Sequence, residues 1–310
     1  MAYIGNIIKE YRNKMGISRK ELSENICSEK YVYLIEKGTR TPSVEVSRAF
    51  GDRMGVDLFK YYEYLDCINP IEVEEIIGRF NKYRIENDMD ALQEATDKAF
   101  LLPDFHRKPW VYEIDHNRIA YMTLKEGRCC EAIKEIKNKI QNVESKYSKS
   151  ICFARFYILL STCYQMIMDL DNAQYAVLAA SEIIANKQNV EKNAQVVIAV
   201  KISEITLHYL LGELDKVIEE GCKLNQYQIE MSSYELGHHG LFYLAYAHYQ
   251  KGLKDEGVSW FLKALYASLI RYKPRDIYYL SKYEMFQVLS SDYRVPSNLV
   301  NEFKRKYNID

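Results

Sequence analysis

From Ile71 onward the chain has no credible strand. Long stretches of apolar residues at helical spacing alternate with short breaks at Asn87–Asp90, Leu102–Pro109, Gly127, Asp169–Asp171, Gly212, Gly252 and Lys273–Pro274. This alternation restricts the chain to an all-α solution. The breaks are also periodic. Anchored on Gly252, the equivalent turn positions are Gly212, Met168 and Gly127, at spacings of 40, 44 and 41 residues. A period of this size implies helix pairs that stack on their neighbours and bury a continuous core between them.

The clearest unit is Leu244-Ala245-x-Ala247-x-Tyr249-x-x-Gly252, followed by Gly257, Phe261 and Ala264. Small residues stand where two helices would touch, and aromatics fill the space between them. This unit resembles the tetratricopeptide motif. Weaker copies carry Ala120 and Ala132 around Gly127, then Ser161, Cys163, Ala173 and Ala180 around Met168, then Val217 and Gly221 around Gly212. The resemblance implies a right-handed α-solenoid of degenerate repeats, with an unrelated helical bundle as the alternative.

In such a solenoid the first helix of each repeat lines the concave side. Counting back from each turn gives Asn117, Tyr121 and Lys125; Arg155, Thr162 and Gln165; Ile202, Thr206 and Tyr209; and His239, Phe242, Tyr246 and Gln250. Amides and hydroxyls in this set can pair the backbone of a short extended peptide while aromatics pack its side chains.

Residues 16–42 have a different character and read as two short helices joined by a tight turn. Ser18 caps the first, with Glu21 completing a capping box, and Leu22 and Ile26 form its buried edge. Ser28 caps the second, whose inner side holds Val32 and Ile35; Glu29, Lys30, Tyr33 and Lys37 face out, and Gly38 ends it. Helices over 3–14, 43–54 and 57–65 complete a five-helix unit with Ile4, Ile7, Ile8, Tyr11, Val44, Val46, Ala49 and Phe50 as core candidates. Asn69–Pro70 marks the boundary, since proline restarts a helix at its first turn. The expected domains are therefore 1–66 and 70–310.

The pattern Gly-Ile-Ser-x-x-x-Leu followed by Ile-Glu-x-Gly-x-x-x-Pro-Ser, within about residues 4–64, resembles the lambda-repressor/Cro (XRE) helix-turn-helix family. The resemblance implies that the second helix lies in the major groove. Ser28, Glu29, Lys30 and Tyr33 would then read bases, and Arg19, Lys37 and Arg40 would hold phosphates. Many members have Gln where this chain has Arg19, which favours a phosphate contact there.

Charge gives weak support. Residues 1–65 hold 11 Lys and Arg against 9 Asp and Glu, and the remainder 31 against 34. The seven cysteines form no CxxC pair and no metal-ligand spacing; Cys129-Cys130 is the one pair that reads as exposed. His238-His239 lacks further ligands at helical spacing, and Glu219-Glu220 lies in a charge-rich helix. No phosphate loop, nucleophile elbow or catalytic constellation is present, so an enzyme is not expected, nor is a cofactor or metal. The amino terminus enters an amphipathic helix at once and no run approaches the roughly 20 apolar residues of a membrane span, so a soluble cytoplasmic protein is expected.

Taken together, a helix-turn-helix of this type followed by degenerate repeats resembles the peptide-pheromone-responsive regulators of Gram-positive bacteria, the Rgg, PlcR, NprR and PrgX group. Leu22–Cys27 is especially PlcR-like. The resemblance implies quorum sensing by a transcription regulator. It would be a homodimer on double-stranded DNA with a palindromic operator, controlled by a short linear signalling peptide in the concave groove. The alternatives are a protein-interaction scaffold and a repressor that senses a small metabolite.

Overall fold

A computed structural model describes residues 3–185, 193–231, 237–270 and 284–307, and the break expected at Lys273–Pro274 lies outside them. All regular structure among the described residues is helical. The chain divides into two compact units, one of residues 1–81 with 97–111 and the other of residues 82–96 with 112–310.

The first unit opens with α1 (Ile4–Lys14), α2 (Arg19–Ser23), α3 (Glu29–Glu36) and α4 (Val44–Met54). Its core is one cluster holding Ile4, Ile7, Ile8, Leu22, Val32, Ile35, Phe50, Met54 and Tyr61. Ser18, Ser28 and Ser43 each cap the helix that follows, and the reciprocal Glu21 bond to the Ser18 amide is present at 2.6 Å. Asn25 makes the tight turn between α2 and α3 in the left-handed region, at φ 57°. Gly5 allows α1 to cross α3 closely, because a Cβ there would sit 1.9 Å from the carbonyl oxygen of Ile35.

Two expectations for this unit change. Val44 is exposed, because as the first residue of α4 it projects before the helix meets the core. The fifth element is a 3-10 helix, Phe59–Tyr64, with the Asp57 carboxylate accepting from the Phe59 amide at 2.9 Å. Farther along, α5 (Pro70–Ile85) does begin on its proline. The Asp104 carboxylate accepts from the amides of Ile68 and Asn69 at 2.8 and 3.0 Å, and Trp110 stacks on Tyr64 with ring centres 5.0 Å apart.

The second unit is a series of helix pairs. α6 (Met89–Phe100) precedes α7 (Trp110–Leu124) and α8 (Cys129–Gln141), and a short α9 (Ser145–Ser148) follows. Next come α10 (Ile151–Met166) with α11 (Leu170–Ala185), α12 (Ala194–Leu210) with α13 (Leu214–Glu230), and α14 (Gly237–Gln250) with α15 (Lys254–Ile270). The first helices pack in succession, α10 on α12 and α12 on α14. The four intra-pair turns share one backbone solution, with φ at 68° for Gly127, 60° for Met168, 73° for Gly212 and 84° for Gly252. Met168 therefore occupies a left-handed position that the other three turns of this chain give to glycine. Where the pairs touch, Ala132, Ala173, Ala180, Ala245 and Ala264 are buried. Gly257 packs so tightly that a Cβ would lie 2.9 Å from the Ala245 carbonyl. Two further helices, α16 (Glu284–Ser290) and α17 (Ser297–Tyr307), close the last pair with Phe286, Leu289, Leu299 and Phe303.

Candidate functional site

In the first unit, Glu36 at the end of α3 is buried and joins three helices. Arg12 of α1 donates through Nε to Oε1 at 2.6 Å, and Arg19 of α2 donates through Nε to Oε2 at 2.6 Å. Burial would raise the Glu36 carboxyl, but the two guanidiniums outweigh it and hold the group below its ordinary range. Arg53 adds a second tie, donating from α4 to the carbonyls of Glu21, Leu22 and Glu24 at 3.0, 2.9 and 2.7 Å. The Glu36 carboxylate thereby ties the end of α3 to α1 and α2, and Arg53 ties α2 in turn to α4.

The exposed side of α3 divides into two groups. In one, the Tyr33 ring has the Arg19 guanidinium at 5.4 Å and the Lys37 ammonium at 5.9 Å from its centre, a cation–π cluster at the surface. In the other, Ser28, Lys30 and Arg40 line a hollow of about 590 Å³ together with Tyr31, Leu34, Thr39 and Thr41. Tyr31 donates its hydroxyl to the Thr41 carbonyl at 3.2 Å, and Thr39 donates to the Leu34 carbonyl at 3.0 Å, so the wall of this hollow is tied to α3. Glu29 stands exposed at the start of the helix.

Each of the seven proposed DNA contacts is thus on or beside this face, with two qualifications. The Ser28 hydroxyl oxygen already accepts from the Tyr31 amide at 3.2 Å, and Arg19 is half-buried with its Nε committed to Glu36. Tyr31, Thr39 and Thr41 were missed by the sequence pattern because they point into a loop that helical periodicity does not describe.

In the second unit, the shared face of the first helices contains Arg155, Thr162 and Gln165 on α10 beside Ile202, Thr206 and Tyr209 on α12, all half-buried. Thr162 and Thr206 donate to the Ile158 and Ile202 carbonyls at 3.0 and 2.8 Å, leaving their oxygens as acceptors. Gln165 donates to Ser161 Oγ at 3.1 Å and to the Ser203 carbonyl at 3.2 Å, joining the two helices. Tyr209 packs against Tyr243 and Tyr246 at 5.3 and 5.9 Å between ring centres. Tyr121 and His239 are half-buried and Gln250 is exposed, while Lys125 reaches Asp90 at 2.9 Å.

Three expected lining residues are not on the open face. Asn117 is fully buried: its Oδ1 accepts from Arg84 Nε at 3.0 Å and its Nδ2 donates to Thr96 Oγ1 at 3.0 Å. Here α5 and α6 supply groups that fill the side which stays open in later repeats. Phe242 and Tyr246 are buried in the cluster made by α16 and α17, which cover the end of the series. Cys129 is likewise buried, and only Cys130 of that pair is exposed.

Beside Asn117 lies a buried ionic group. Glu113 accepts from Arg84 Nη2 at 2.6 Å and from Arg155 Nη1 at 2.8 and 3.1 Å. Burial works to raise the Glu113 carboxyl, but Arg155 and Arg84 overcome it and hold the group well below its ordinary range. His116 next to it is pushed down to about 3, by burial first and then by the two arginines. Among the described residues no three His, Cys, Asp or Glu side chains converge as metal ligands, and no helix is long and apolar enough to cross a membrane.

Residues 8–60 match the helix-turn-helix family HTH_3. Comparison with curated proteins gives no match. Among solved structures, the chain is similar to Bacillus thuringiensis PlcR in complex with the peptide PapR7 and DNA. The TM-score is 0.67 at 14% identity, over 94% of this chain and 100% of that one. It is also similar to ComR from S. thermophilus in complex with DNA and its signalling peptide ComS, with a TM-score of 0.50 at 14% identity over 97% and 99% of the two chains. The chain shares their fold along nearly its whole length.

Proposed function

We propose that this protein is a cytoplasmic transcription regulator of the peptide-pheromone type and not an enzyme. It acts as a homodimer, with α3 reading a palindromic operator and a short linear peptide in the face of the repeat helices controlling that binding. The observation that supports this reading best is the rigid presentation of α3. A buried carboxylate locks three helices together and leaves Tyr33 with Lys37, and Lys30 with Arg40, exposed as two groups on the outer side of α3. A helix held this way can enter a major groove as a fixed probe. The likeness in fold to PlcR, solved with the peptide PapR7 and DNA, and to ComR, solved with DNA and its signalling peptide, supports the same reading.

In the proposed arrangement Lys30 contacts base edges, and Arg40, Lys37 and the outer part of Arg19 contact phosphates. The peptide lies along α10 and α12. Hydroxyl oxygens of Thr162 and Thr206 accept from its amides, and Ile202 and Tyr209 pack its side chains. Control requires the peptide to favour one dimer arrangement over another by a few kcal/mol.

The test is selection of a preferred duplex from a random pool, followed by anisotropy titrations at several salt concentrations. Lys30→Ala should relax the sequence preference by about 1–3 kcal/mol at one position. Arg40→Ala should weaken all duplexes alike and lower the salt slope by about one. If both variants bind selected and random DNA as the parent does, the assignment of α3 fails. Native mass spectrometry with peptides encoded near the gene tests the second half: a peptide adduct on a dimer supports it, and a dimer that ignores every peptide refutes it.

A further inference from the structure

Where α8 begins and α10 ends, three sulfur atoms from different turns meet. Cys129, the first residue of α8, places Sγ 3.7 Å from Sδ of Met166, the last residue of α10. One helical turn before Met166, the Cys163 thiol lies beneath them within hydrogen-bonding reach of Cys129, and its sulfur is 3.4 Å from Thr123 Oγ1. Met166 is 53% exposed and Cys163 fully buried, so the three sulfurs descend from surface to core. A cleft of about 280 Å³ leads to Cys129 and Met166 and is lined further by Gly127, Arg128, Cys130, Glu131 and Ile167, and Cys163 is buried outside its lining. The one carboxylate of that lining, Glu131, is held by Arg128 through two bonds of 3.1 and 2.5 Å. The groups left facing one another are two thiols and a thioether.

We propose that this cluster is a binding site for a soft monovalent metal ion of the copper(I) type. Thiolate and thioether ligands select soft ions. Magnesium and calcium favour oxygen partners that are not part of the cluster, and a structural zinc takes four ligands drawn from thiolate, imidazole and carboxylate, whereas this cluster offers three with a thioether among them. The 3.7 Å between Cys129 Sγ and Met166 Sδ suits three-fold coordination, in which sulfurs held at roughly 2.3 Å from a central ion stand about 4 Å apart. Binding replaces the two thiol protons. Cys129–SH, Cys163–SH and Cu⁺ give a bis-thiolate copper complex carrying one negative charge, with two protons released and the Met166 thioether as a neutral third ligand. The ion would fasten the start of α8 to the end of α10 and so fix one repeat against the next. This inference is independent of the function proposed above.

The experiment uses the full-length, reduced protein without oxygen, titrated into copper(I) held by a chromogenic chelator. The expected result is withdrawal of one equivalent per chain. X-ray absorption should show a first shell of three sulfurs. Met166→Leu preserves bulk at an exposed position and should weaken retention by about tenfold or more while reducing that shell to two. Cys129→Ser should abolish retention, and Cys130→Ser and Cys222→Ser should match the parent. The proposal is overturned if the parent takes no copper from the chelator, if Met166→Leu retains it like the parent, or if Cys130→Ser is the variant that loses it. Preferential tight binding of zinc(II) would overturn the assignment to a soft monovalent ion.

Discussion

Glu36 carries two guanidiniums on one carboxylate inside the helix-turn-helix core, so its removal leaves two cations without their shared partner. Glu36→Gln is expected to destabilise the fold by about 3 kcal/mol, measured by urea unfolding. The pH dependence follows in sign. A carboxyl lowered in the folded state contributes stability above its unfolded value of 4.5, and that stability is lost as pH falls through the folded value. The variant's stability should therefore fall less steeply in acid than the parent's. His116 acts in a higher window. Its folded value of about 3 lies below the ordinary 6.5, so between these the unfolded chain binds a proton that the folded chain refuses. Stability should fall by up to about 1.4 kcal/mol per pH unit below pH 6.5, and His116→Gln should remove that component. Little of this was legible in the sequence. Glu36 stood in the helix-turn-helix pattern, but its partners come from two other helices. Glu113, Arg84 and Arg155 are ordinary surface-type residues until three helices bring them together. Asn117 was placed by counting along one helix, which could not register what α5 and α6 lay over it.

At the scale of helices and turns, the sequence was far more informative, because its signals are local. Ser18, Ser28 and Ser43 announced their helices, and Gly127, Gly212 and Gly252 announced their turns. Met168 fits the spacing but not the chemistry, and the structure places it in the same left-handed region. Met168→Gly should therefore stabilise the protein by about 0.5–1 kcal/mol, the difference between the cost of that conformation for a side chain and the entropy cost of glycine. A thermal melt would detect it, and no change or a loss would mean that the exposed Met168 side chain compensates. Gly5 makes the opposite case. Gly5→Ala drives a Cβ into the Ile35 carbonyl, a backbone atom that cannot rotate aside, and should cost about 3 kcal/mol or more. Circular dichroism on unfolding reads it directly. The short α9 escaped the sequence reading because four residues are too few to establish a period.

The molecule as a whole ends its repeats with a lid of different composition. Phe286 and Phe303 stack at 5.1 Å between ring centres over the aromatic end of α14, where Phe242 would otherwise face water. Phe303→Ala should cost about 3–5 kcal/mol and lower the melting temperature. It should also expose apolar surface that a solvatochromic dye reports. Sequence periodicity predicted Phe242 and Tyr246 as open because it treated the last repeat like its predecessors, and the terminal cap that repeat arrays require was not periodic. The division of the chain has a consequence for how such proteins can change over time. The polypeptide passes between its two units three times, after residues 81, 96 and 111. A genetic crossover near residue 66, where the sequence invites one, would give Tyr64 a foreign partner in place of Trp110 and would offer the Ile68 and Asn69 amides whatever replaced Asp104. A lineage acquiring a new carboxy-terminal region by recombination at that joint would first have to rebuild the partners of Tyr64, Ile68 and Asn69.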